Sequence, residues 1–192
     1  MSSLASLLIT RAVTPTIVTA SQSFSLEWLL ESAKLWREEY RHLKNKPLAL
    51  IYTNSASFSV GLLAFDGFCS DLYLCSEELA ESIEPGYQQL SITISSVSEQ
   101  HIKQSKRATK LVQASSNLAG QTHTHTIATR WWLASSGTSG QPKWFSHSLA
   151  SLTLSTKASP ALSALCWANL YQVYRYAGLQ VLLQALTSGA TL

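Results

Sequence analysis

A strand-length run of apolar residues, followed by a helix and then a second strand, restricts the fold of this sequence more than any other feature. The run is Leu48 to Tyr52, and its composition is that expected of a strand buried on both faces of a sheet. After the turn residues Thr53 to Ser55, Ala56 to Phe65 suits a short helix that ends near Gly67. Leu72 to Cys75 is the next strand. This alternation predicts an α/β fold in which helices pack on a layered sheet.

Further elements are predicted on both sides of this unit. Ser25 can cap a helix because its hydroxyl accepts hydrogen bonds from the backbone amides of the first turn, and apolar residues recur at helical spacing from Leu26 to Leu43. No definite element is predicted for Ser95 to Gln121, which is polar. The other predicted elements are a turn at Ser21 to Ser23, strands at Thr16 to Thr19, Leu90 to Ile94, Ile127 to Leu133 and Ala164 to Ala168, and helices at Ser148 to Ser155 and Gly178 to Leu186.

The composition is that of a soluble globular chain. Of its 192 residues 46% are hydrophobic and 13% charged, which excludes a disordered or highly charged protein. The net charge of +3, without interleaved basic and aromatic residues, argues against nucleic-acid binding. No apolar stretch reaches the length of about 20 residues that a membrane span needs, and the N-terminus lacks the basic region of a secretory signal. Cys69, Cys75 and Cys166 form no metal-like cluster, so we expect reduced thiols in a cytoplasmic protein.

A loop rich in Ser and Gly lies between the Ile127 to Leu133 strand and the helix predicted from Ser148. Its glycines permit positive φ, so that successive backbone N–H groups can converge on anionic oxygens, and Lys143 can neutralise phosphate charge. It is not a Walker loop, because Lys143 follows Pro142 rather than Gly and precedes Trp144. A strand that leads into such a loop places it at a sheet edge, where ligands usually bind. The loop reads Ser135-Ser136-Gly137-Thr138-Ser139-Gly140-Gln141-Pro142-Lys143.

This loop resembles the signature of the adenylate-forming (AMP-binding) enzymes, which include acyl- and aryl-CoA synthetases and nonribosomal adenylation domains. Their pattern, Ser/Thr-Ser/Thr-Gly-Ser/Thr-Ser/Thr-Gly-x-Pro-Lys, is matched at every position from Ser135 to Lys143. Segments at Phe24 to Leu29, Ala49 to Phe58 and Gly178 to Leu192 are similar to family segments that occur in the same order. The aromatic residues after Lys143 differ from the usual Gly-Val and are typical of a divergent branch, near the o-succinylbenzoate–CoA ligases or carrier-protein acyl-ligases.

The resemblance implies an enzyme that activates a carboxylic acid with ATP to an acyl-adenylate and then transfers the acyl group to a thiol. The thiol acceptor would be CoA or the phosphopantetheine of an acyl carrier protein, and Mg²⁺ would bind through the ATP phosphates, with no separate metal site. Lys143 would assist as the catalytic cation. The residues that would cradle the phosphates are Ser135, Ser136, Gly137, Thr138, Ser139 and Gly140.

Four further residues are candidates for the substrate pocket by the same resemblance: His147, Tyr174, Arg175 and Gly178. His147 either lines the nucleotide or acyl site or has a capping or surface role. Arg175 stands where many family members have His, and it either pairs with a second carboxylate of the substrate or is an ordinary solvated side chain. His123 and His125 alternate as in some metal sites, but without a third ligand nearby an exposed polar segment is favoured.

Residues 1–192 would then be the N-terminal portion of an AMP-binding domain, because the family has a large N-terminal domain and a mobile C-terminal one. We therefore expect the remaining C-terminal part to be a partner and the chain alone to be inactive. We also expect an unpaired sheet edge and a partly exposed core at Gly189 to Leu192. The alternative is a non-catalytic binding or interaction module that keeps the adenylation fold, whereas the failed Walker match disfavours a kinase-like domain.

Overall fold

The computed structural model describes residues 3–83, 88–91, 127–135 and 142–192. A 3-10 turn at Arg41–Leu43 follows the second helix. The helices and strands of the described residues are, in chain order, α1 (Leu4–Thr10), β1 (Thr16–Val18), β2 (Ser23–Ser25), α2 (Leu26–Glu39), β3 (Pro47–Ile51), α3 (Ser55–Phe65), β4 (Asp71–Cys75), α4 (Glu77–Ala80), β5 (Gln88–Ser91), β6 (Arg130–Ala134), β7 (Trp144–His147), α5 (Leu149–Thr153), α6 (Pro160–Ser163) and α7 (Tyr176–Ser188).

A five-stranded sheet in the order β5-β3-β4-β6-β7 organises the fold. Its first four strands are parallel to one another, and β7 runs antiparallel to β6. In the middle of the sheet Leu48 is paired with Leu72, which is paired in turn with Trp131. All three of these side chains are completely buried, as the apolar runs predict for central parallel strands.

Helix α3 packs directly on this sheet. Asn54 caps it, because its side-chain oxygen accepts a 2.9 Å hydrogen bond from the Ser57 amide. Gly61 brings the helix so close to the sheet that a Cβ at this position would lie 2.7 Å from a methyl carbon of Leu50. Helix α2 packs in turn on α3, and the guanidinium of Arg37 donates to the carbonyls of Leu63, Ala64 and Asp66 at the C-terminal end of α3.

The end of α7 joins a second, two-stranded sheet of β1 and β2. Gly189 ends the helix with a left-handed backbone at φ 78°, a conformation that favours glycine. The chain then turns so that Leu192 accepts a hydrogen bond from the Val18 amide and donates one to the Thr16 carbonyl. Leu192 is buried. The expected unpaired edge is therefore not found at these last residues.

The α/β class and most of the long elements are confirmed. The predicted strands from Leu48 and Leu72 correspond to β3 and β4, and the strand from Ile127 contains β6. The helix expected from Leu26 to Leu43 ends at Glu39, and the 3-10 turn covers its last residues. Of the strand predicted from Leu90, the described residues Leu90 and Ser91 lie in β5. The rest of that strand and the polar segment after it lie outside the described residues.

Two predictions of local structure are wrong. Ala164 to Ala168 is not a strand, because only Cys166 forms an isolated bridge, to Thr191. Most residues of this segment are exposed, so it has no buried face that would favour pairing as a strand. Ser23, predicted to lie in a turn, begins β2 instead, because Phe24 is buried and pairs with Ile17.

Exposed apolar side chains are concentrated in the last third of the chain. Leu154 and Leu170 are 86% and 88% exposed, and Phe145, Leu165, Tyr171 and Tyr176 are also exposed. A partly exposed core was expected, although at the last residues rather than here. Within the described residues no helix combines the length and the apolar character that crossing a membrane requires.

Candidate active site

The carboxyl ends of the parallel strands meet at one edge of the sheet. Strands β3, β4 and β6 end there, and the residues that follow them are Tyr52, Ser76 and Ser135. The Tyr52 amide donates a 2.8 Å hydrogen bond to the Cys75 carbonyl, which keeps the first two strand ends side by side. Ligands of α/β proteins usually bind at such an edge, so the predicted phosphate loop begins in a suitable place.

The two ends of the phosphate loop are held together. The Ser135 amide donates a 2.8 Å hydrogen bond to the Lys143 carbonyl, which continues the pairing of β6 with β7. The loop was expected to connect a strand to a helix, but it connects two antiparallel strands, and helix α5 follows β7. The reason is that Trp144 to His147 pairs with Trp131 to Ala134, which the sequence pattern did not predict.

Only the ends of this loop belong to the described residues. Ser135 is half-buried at the end of β6, and Lys143 is exposed on the other side of the loop. Ser136, Gly137, Thr138, Ser139 and Gly140 lie outside the described residues, and so do His123 and His125. The predicted roles of all these residues stay predictions.

His147 lies at the end of β7, opposite Trp131 of β6. Its ring centre is 5.7 Å from the ring of Tyr176, the first residue of α7. Of the roles considered for His147, helix capping is performed by Ser148, whose side chain accepts from the Ser151 amide. His147 is therefore half-buried between the sheet and the start of α7, one strand length from the phosphate loop.

Arg175 lies at the start of α7 and reaches back to the sheet. Its Nη1 donates a 3.0 Å hydrogen bond to the carbonyl of Ala134, the last residue of β6. Its guanidinium carbon lies 5.9 Å from the ring centre of Tyr174. The side chain is half-buried and bound to the backbone, so it is not the freely solvated side chain that the sequence left open.

Tyr174 belongs to an aromatic cluster beside this strand edge. The Tyr174 ring is 5.8 Å from that of Tyr52, and Tyr52 meets Phe58 of α3 edge-on at 5.6 Å. Tyr174 is buried and Tyr52 is half-buried. The cluster forms an apolar wall at the same edge of the sheet as Ser135, where the phosphate loop begins. Tyr52 was not among the predicted pocket residues, although its position directly after a buried parallel strand is a signal that points to this edge.

Gly178 lies where two pieces of backbone touch. A Cβ at this position would be 2.3 Å from the carbonyl oxygen of Gln172, and the Gly178 carbonyl accepts a 3.0 Å hydrogen bond from the Asn169 side chain. Only glycine permits this close approach without a shift of the backbone. The geometry thus assigns Gly178 a packing role at the base of the Tyr174 and Arg175 segment.

A second group of polar and aromatic residues lies at the opposite, amino-terminal end of the strands. Asp71 accepts hydrogen bonds from Trp132 Nε1 at 2.8 Å and from Arg130 Nε at 2.7 Å. The Trp132 ring stacks on Tyr73 with the planes parallel to within 1°. Trp131 is completely buried, so both tryptophans pack within the fold. Tyr73 also meets Trp144, the residue after Lys143, edge-on at 5.3 Å, so this group extends along the sheet to the end of the phosphate loop.

Solved structures of adenylation enzymes have the fold of this chain. The N-terminal subdomain of NpsA from Klebsiella oxytoca, in complex with 3-hydroxybenzoyl-AMSN, matches with a TM-score of 0.65 and 13% identity over 100% of this chain and 53% of its own. The o-succinylbenzoate CoA synthetase MenE from Bacillus subtilis, in complex with its acyl-adenylate intermediate OSB-AMP, matches with a TM-score of 0.62 and 16% identity over 96% of this chain and 54% of its own. VinN in complex with 3-methylaspartate matches with a TM-score of 0.55 and 12% identity.

The chain therefore has the fold found in N-terminal subdomains of adenylate-forming enzymes, and it spans about half the length of the structures it matches. The resemblance that the loop predicted is thus confirmed at the level of the fold. No protein-family model and no curated protein sequence matches the chain.

Proposed function

We propose that this chain carries the phosphate-binding part of an enzyme that activates a carboxylic acid by adenylation and passes the acyl group to a thiol. One observation carries the proposal: a loop with the complete adenylate-forming signature begins at the carboxyl edge of a sheet whose fold is that of adenylation enzymes. The two ends of the loop are joined by the hydrogen bond from the Ser135 amide to the Lys143 carbonyl, which supports the proposal.

In the first reaction a carboxylate oxygen of the acid attacks the α-phosphorus of ATP. The bond between this phosphorus and the bridging oxygen breaks, and pyrophosphate leaves. Residues Ser135 to Gly140 would bind the β- and γ-phosphates through backbone and hydroxyl donors, and Lys143, exposed at the end of the loop, would neutralise the charge that develops on pyrophosphate.

Mg²⁺ enters this proposal together with ATP. The described residues contain no group of three His, Cys, Asp or Glu side chains that would hold a metal by themselves. The ion would therefore be held mainly by phosphate oxygens, in keeping with its usual use of few protein ligands in nucleotide sites. It would supply charge neutralisation on the leaving pyrophosphate.

In the second reaction a thiolate attacks the acyl carbon of the adenylate, and AMP leaves with the bonding electrons. The acceptor would be CoA or the phosphopantetheine of a carrier protein. Support for a carrier comes from a matched structure, NpsA-ThdA, which is an artificially fused adenylation–PCP di-domain. Three cysteines without disulfide bonds fit a reducing compartment, and we place the reaction in the cytoplasm.

The acyl group would lie against the wall formed by Tyr52 and Tyr174. Gly178 would border it from α7, and His147 would act from β7 through its contact with Tyr176. The aromatic side chains of this wall favour an apolar or aromatic acyl group. The ligands of the NpsA structures, 3-hydroxybenzoyl- and anthranilyl-AMSN, are consistent with this class of acid.

The test has two parts, ligand binding and activity. Binding is tested separately because the chain spans about half of the matched structures and activity is expected to need the remaining part. Binding of magnesium ATP and magnesium pyrophosphate to the chain is measured by calorimetry, and carboxylate-dependent ATP–pyrophosphate exchange is measured with a panel of aliphatic and aromatic acids. Lys143→Ala and Gly140→Ala should each weaken binding, whereas Lys157→Ala, which removes another exposed lysine, should not. The proposal would be contradicted if the wild type bound neither ligand. It would also be contradicted if the wild type and all three variants bound with the same affinity.

The second candidate is a non-catalytic module that has kept the adenylation fold. The observation that favours it is the departure from the family pattern directly after Lys143, where Trp144 and Phe145 stand in place of the usual Gly-Val. This candidate would be favoured over the enzyme if the chain binds pyrophosphate but shows no exchange activity with any acid. The activity must also be absent after the C-terminal part of an adenylation subdomain has been joined to the chain.

A further inference from the structure

One side chain connects the beginning of the phosphate loop to the wall of the acyl pocket. Arg175 Nη1 donates to the carbonyl of Ala134, and the next residue, Ser135, is the first of the loop. Because the Ser135 amide donates to Lys143, a shift of Ala134 moves both ends of the loop. Arg175 therefore contacts the point at which the loop is anchored to the sheet.

The other end of this connection is the aromatic wall. The guanidinium of Arg175 lies beside the ring of Tyr174, and Tyr174 packs on Tyr52. The backbone of Arg175 is fixed as well, because its amide donates to the Gln172 carbonyl at 2.9 Å and its carbonyl accepts from the Leu179 amide at 2.8 Å. A displacement of Tyr174 by an acyl group would thus be transmitted to Arg175.

The start of helix α7 offers no reason of its own for arginine. Arg175 occupies the N-cap position, where Ser, Thr, Asp or Asn would accept a hydrogen bond from the first turn, and the Arg175 side chain makes no such bond. Where the N-cap side chain of another helix accepts a hydrogen bond from the first turn, that residue is Ser or Asn. Asn54 of α3 and Ser148 of α5 are examples. What the arginine provides instead is a charge-assisted hydrogen bond to the end of β6.

We propose that Arg175 is a positioning residue that couples the acyl side of the site to the phosphate side. This inference rests on the proposed function. Arg175 holds the carbonyl of Ala134, and through it the loop ends, in the arrangement that binds pyrophosphate. Because coupling between two binding sites is reciprocal, an acid that orders Tyr174 also strengthens the binding of the phosphates, and ATP strengthens the binding of the acid.

The experiment compares Arg175→Met, which keeps the apolar stem but removes the donors, with Arg175→Lys, which keeps one cationic donor. Arg41→Met is the matched control, since Arg41 is an exposed arginine whose ion pair with Glu38 is also exposed. Two quantities are measured in the 192-residue chain. They are hydrogen exchange at the Ser135 amide and the dissociation constant of magnesium pyrophosphate by calorimetry.

Loss of one hydrogen bond predicts faster exchange at Ser135 in Arg175→Met, by up to about tenfold, and a similar weakening of pyrophosphate binding. Arg175→Lys should restore part of both effects, and Arg41→Met should leave both unchanged. A purely structural role would lower the melting temperature without a selective change at Ser135.

Unchanged exchange at Ser135 in Arg175→Met overturns the inference. It is also overturned if exchange accelerates while pyrophosphate binds as tightly as in the wild type. A wild-type chain that binds no pyrophosphate contradicts the proposed function, but the exchange at Ser135 still decides whether Arg175 holds the ends of the loop.

Discussion

Trp131 and Asp66, which are 65 residues apart in the sequence, are joined by a 2.8 Å hydrogen bond from the indole Nε1 to the carboxylate Oδ1. The other carboxylate oxygen accepts a 2.6 Å hydrogen bond from the backbone amide of Leu4. Asp66 is 3% exposed, and burial raises its pKa although these hydrogen bonds and the nearby Arg37 act in the opposite direction. One buried carboxylate thus connects strand β6, helix α1 and the end of α3.

We expect Trp131→Phe to lower the free energy of unfolding by about 1 to 3 kcal/mol, because it leaves Oδ1 of a buried carboxylate without its donor. The substitution also shortens a completely buried side chain, which adds to the loss. The measurement is urea unfolding at neutral pH.

Trp132→Phe is the matched control. It removes the same kind of bond to Asp71, but Asp71 keeps its ion pair with Arg130, and Trp132 is only half-buried. Its effect should be clearly smaller than that of Trp131→Phe, and equal losses in the two variants would contradict the role assigned to Asp66.

The pH dependence of stability should differ between the two aspartates. Burial acts to raise the pKa of Asp71, but hydrogen bonds from Trp132, Arg130 and Ser70 together hold its pKa below its ordinary value of 3.8. The stability that Asp71 contributes is therefore present above pH 3.8 and is lost as the pH falls through its lower folded pKa. For Asp66, with a raised pKa, stability instead falls as the pH rises from 3.8.

Urea unfolding between about pH 2 and pH 6 measures these dependences. We expect Asp71→Asn to flatten the loss of stability at the acid end of this range. A variant that loses stability on acidification as steeply as the wild type would show that Asp71 is not held in its ionised form.

Gly178→Ala should destabilise the chain far more than Gly61→Ala, although both glycines lie in helices and both variants add one methyl group. At Gly178 the new carbon would lie 2.3 Å from a backbone oxygen, which cannot move without the chain, whereas at Gly61 it would meet the side chain of Leu50 at 2.7 Å. We expect losses of about 3 kcal/mol for Gly178→Ala and below about 2 kcal/mol for Gly61→Ala.

Thermal and urea unfolding of the two variants test this comparison. A Gly178→Ala protein as stable as the wild type would show that the 171–172 backbone can withdraw from the helix, and the packing role of Gly178 would be wrong.

The three thiols should react at very different rates. Burial raises the pKa of Cys69 and of Cys75 to about 12, so both are protonated at pH 8 and shielded from reagents. Cys166 is exposed. A colorimetric disulfide reagent should therefore label one thiol quickly in the native chain and three after denaturation, and Cys166→Ser should abolish the fast phase. Fast labelling of a second thiol in the native chain would contradict the burial of Cys69 and Cys75.

The sequence predicted a helix or strand correctly where one strong local signal was enough to specify it. The strand from Leu48 and the capped helix from Leu26 were predicted because burial and helix capping each produce a recognisable pattern within a few consecutive residues. Strand β7 was missed because Trp144 to His147 is short and becomes a strand only through its pairing with β6. Helix α1 was not predicted either, since its stability depends on contacts such as the one between Leu4 and Asp66.

The α/β class and the signature of the phosphate loop can be predicted from the amino-acid sequence, because each depends on residues that are consecutive or close in the chain. Two contacts could be seen only in the folded chain: Arg175 binds the carbonyl of Ala134, 41 residues away, and Gly178 lies where two pieces of backbone touch. The physical reason is that such contacts depend on which strand ends and helix ends the topology brings together. Spacing in the sequence shows which residues share an element, but the packing of the elements decides which side chains meet.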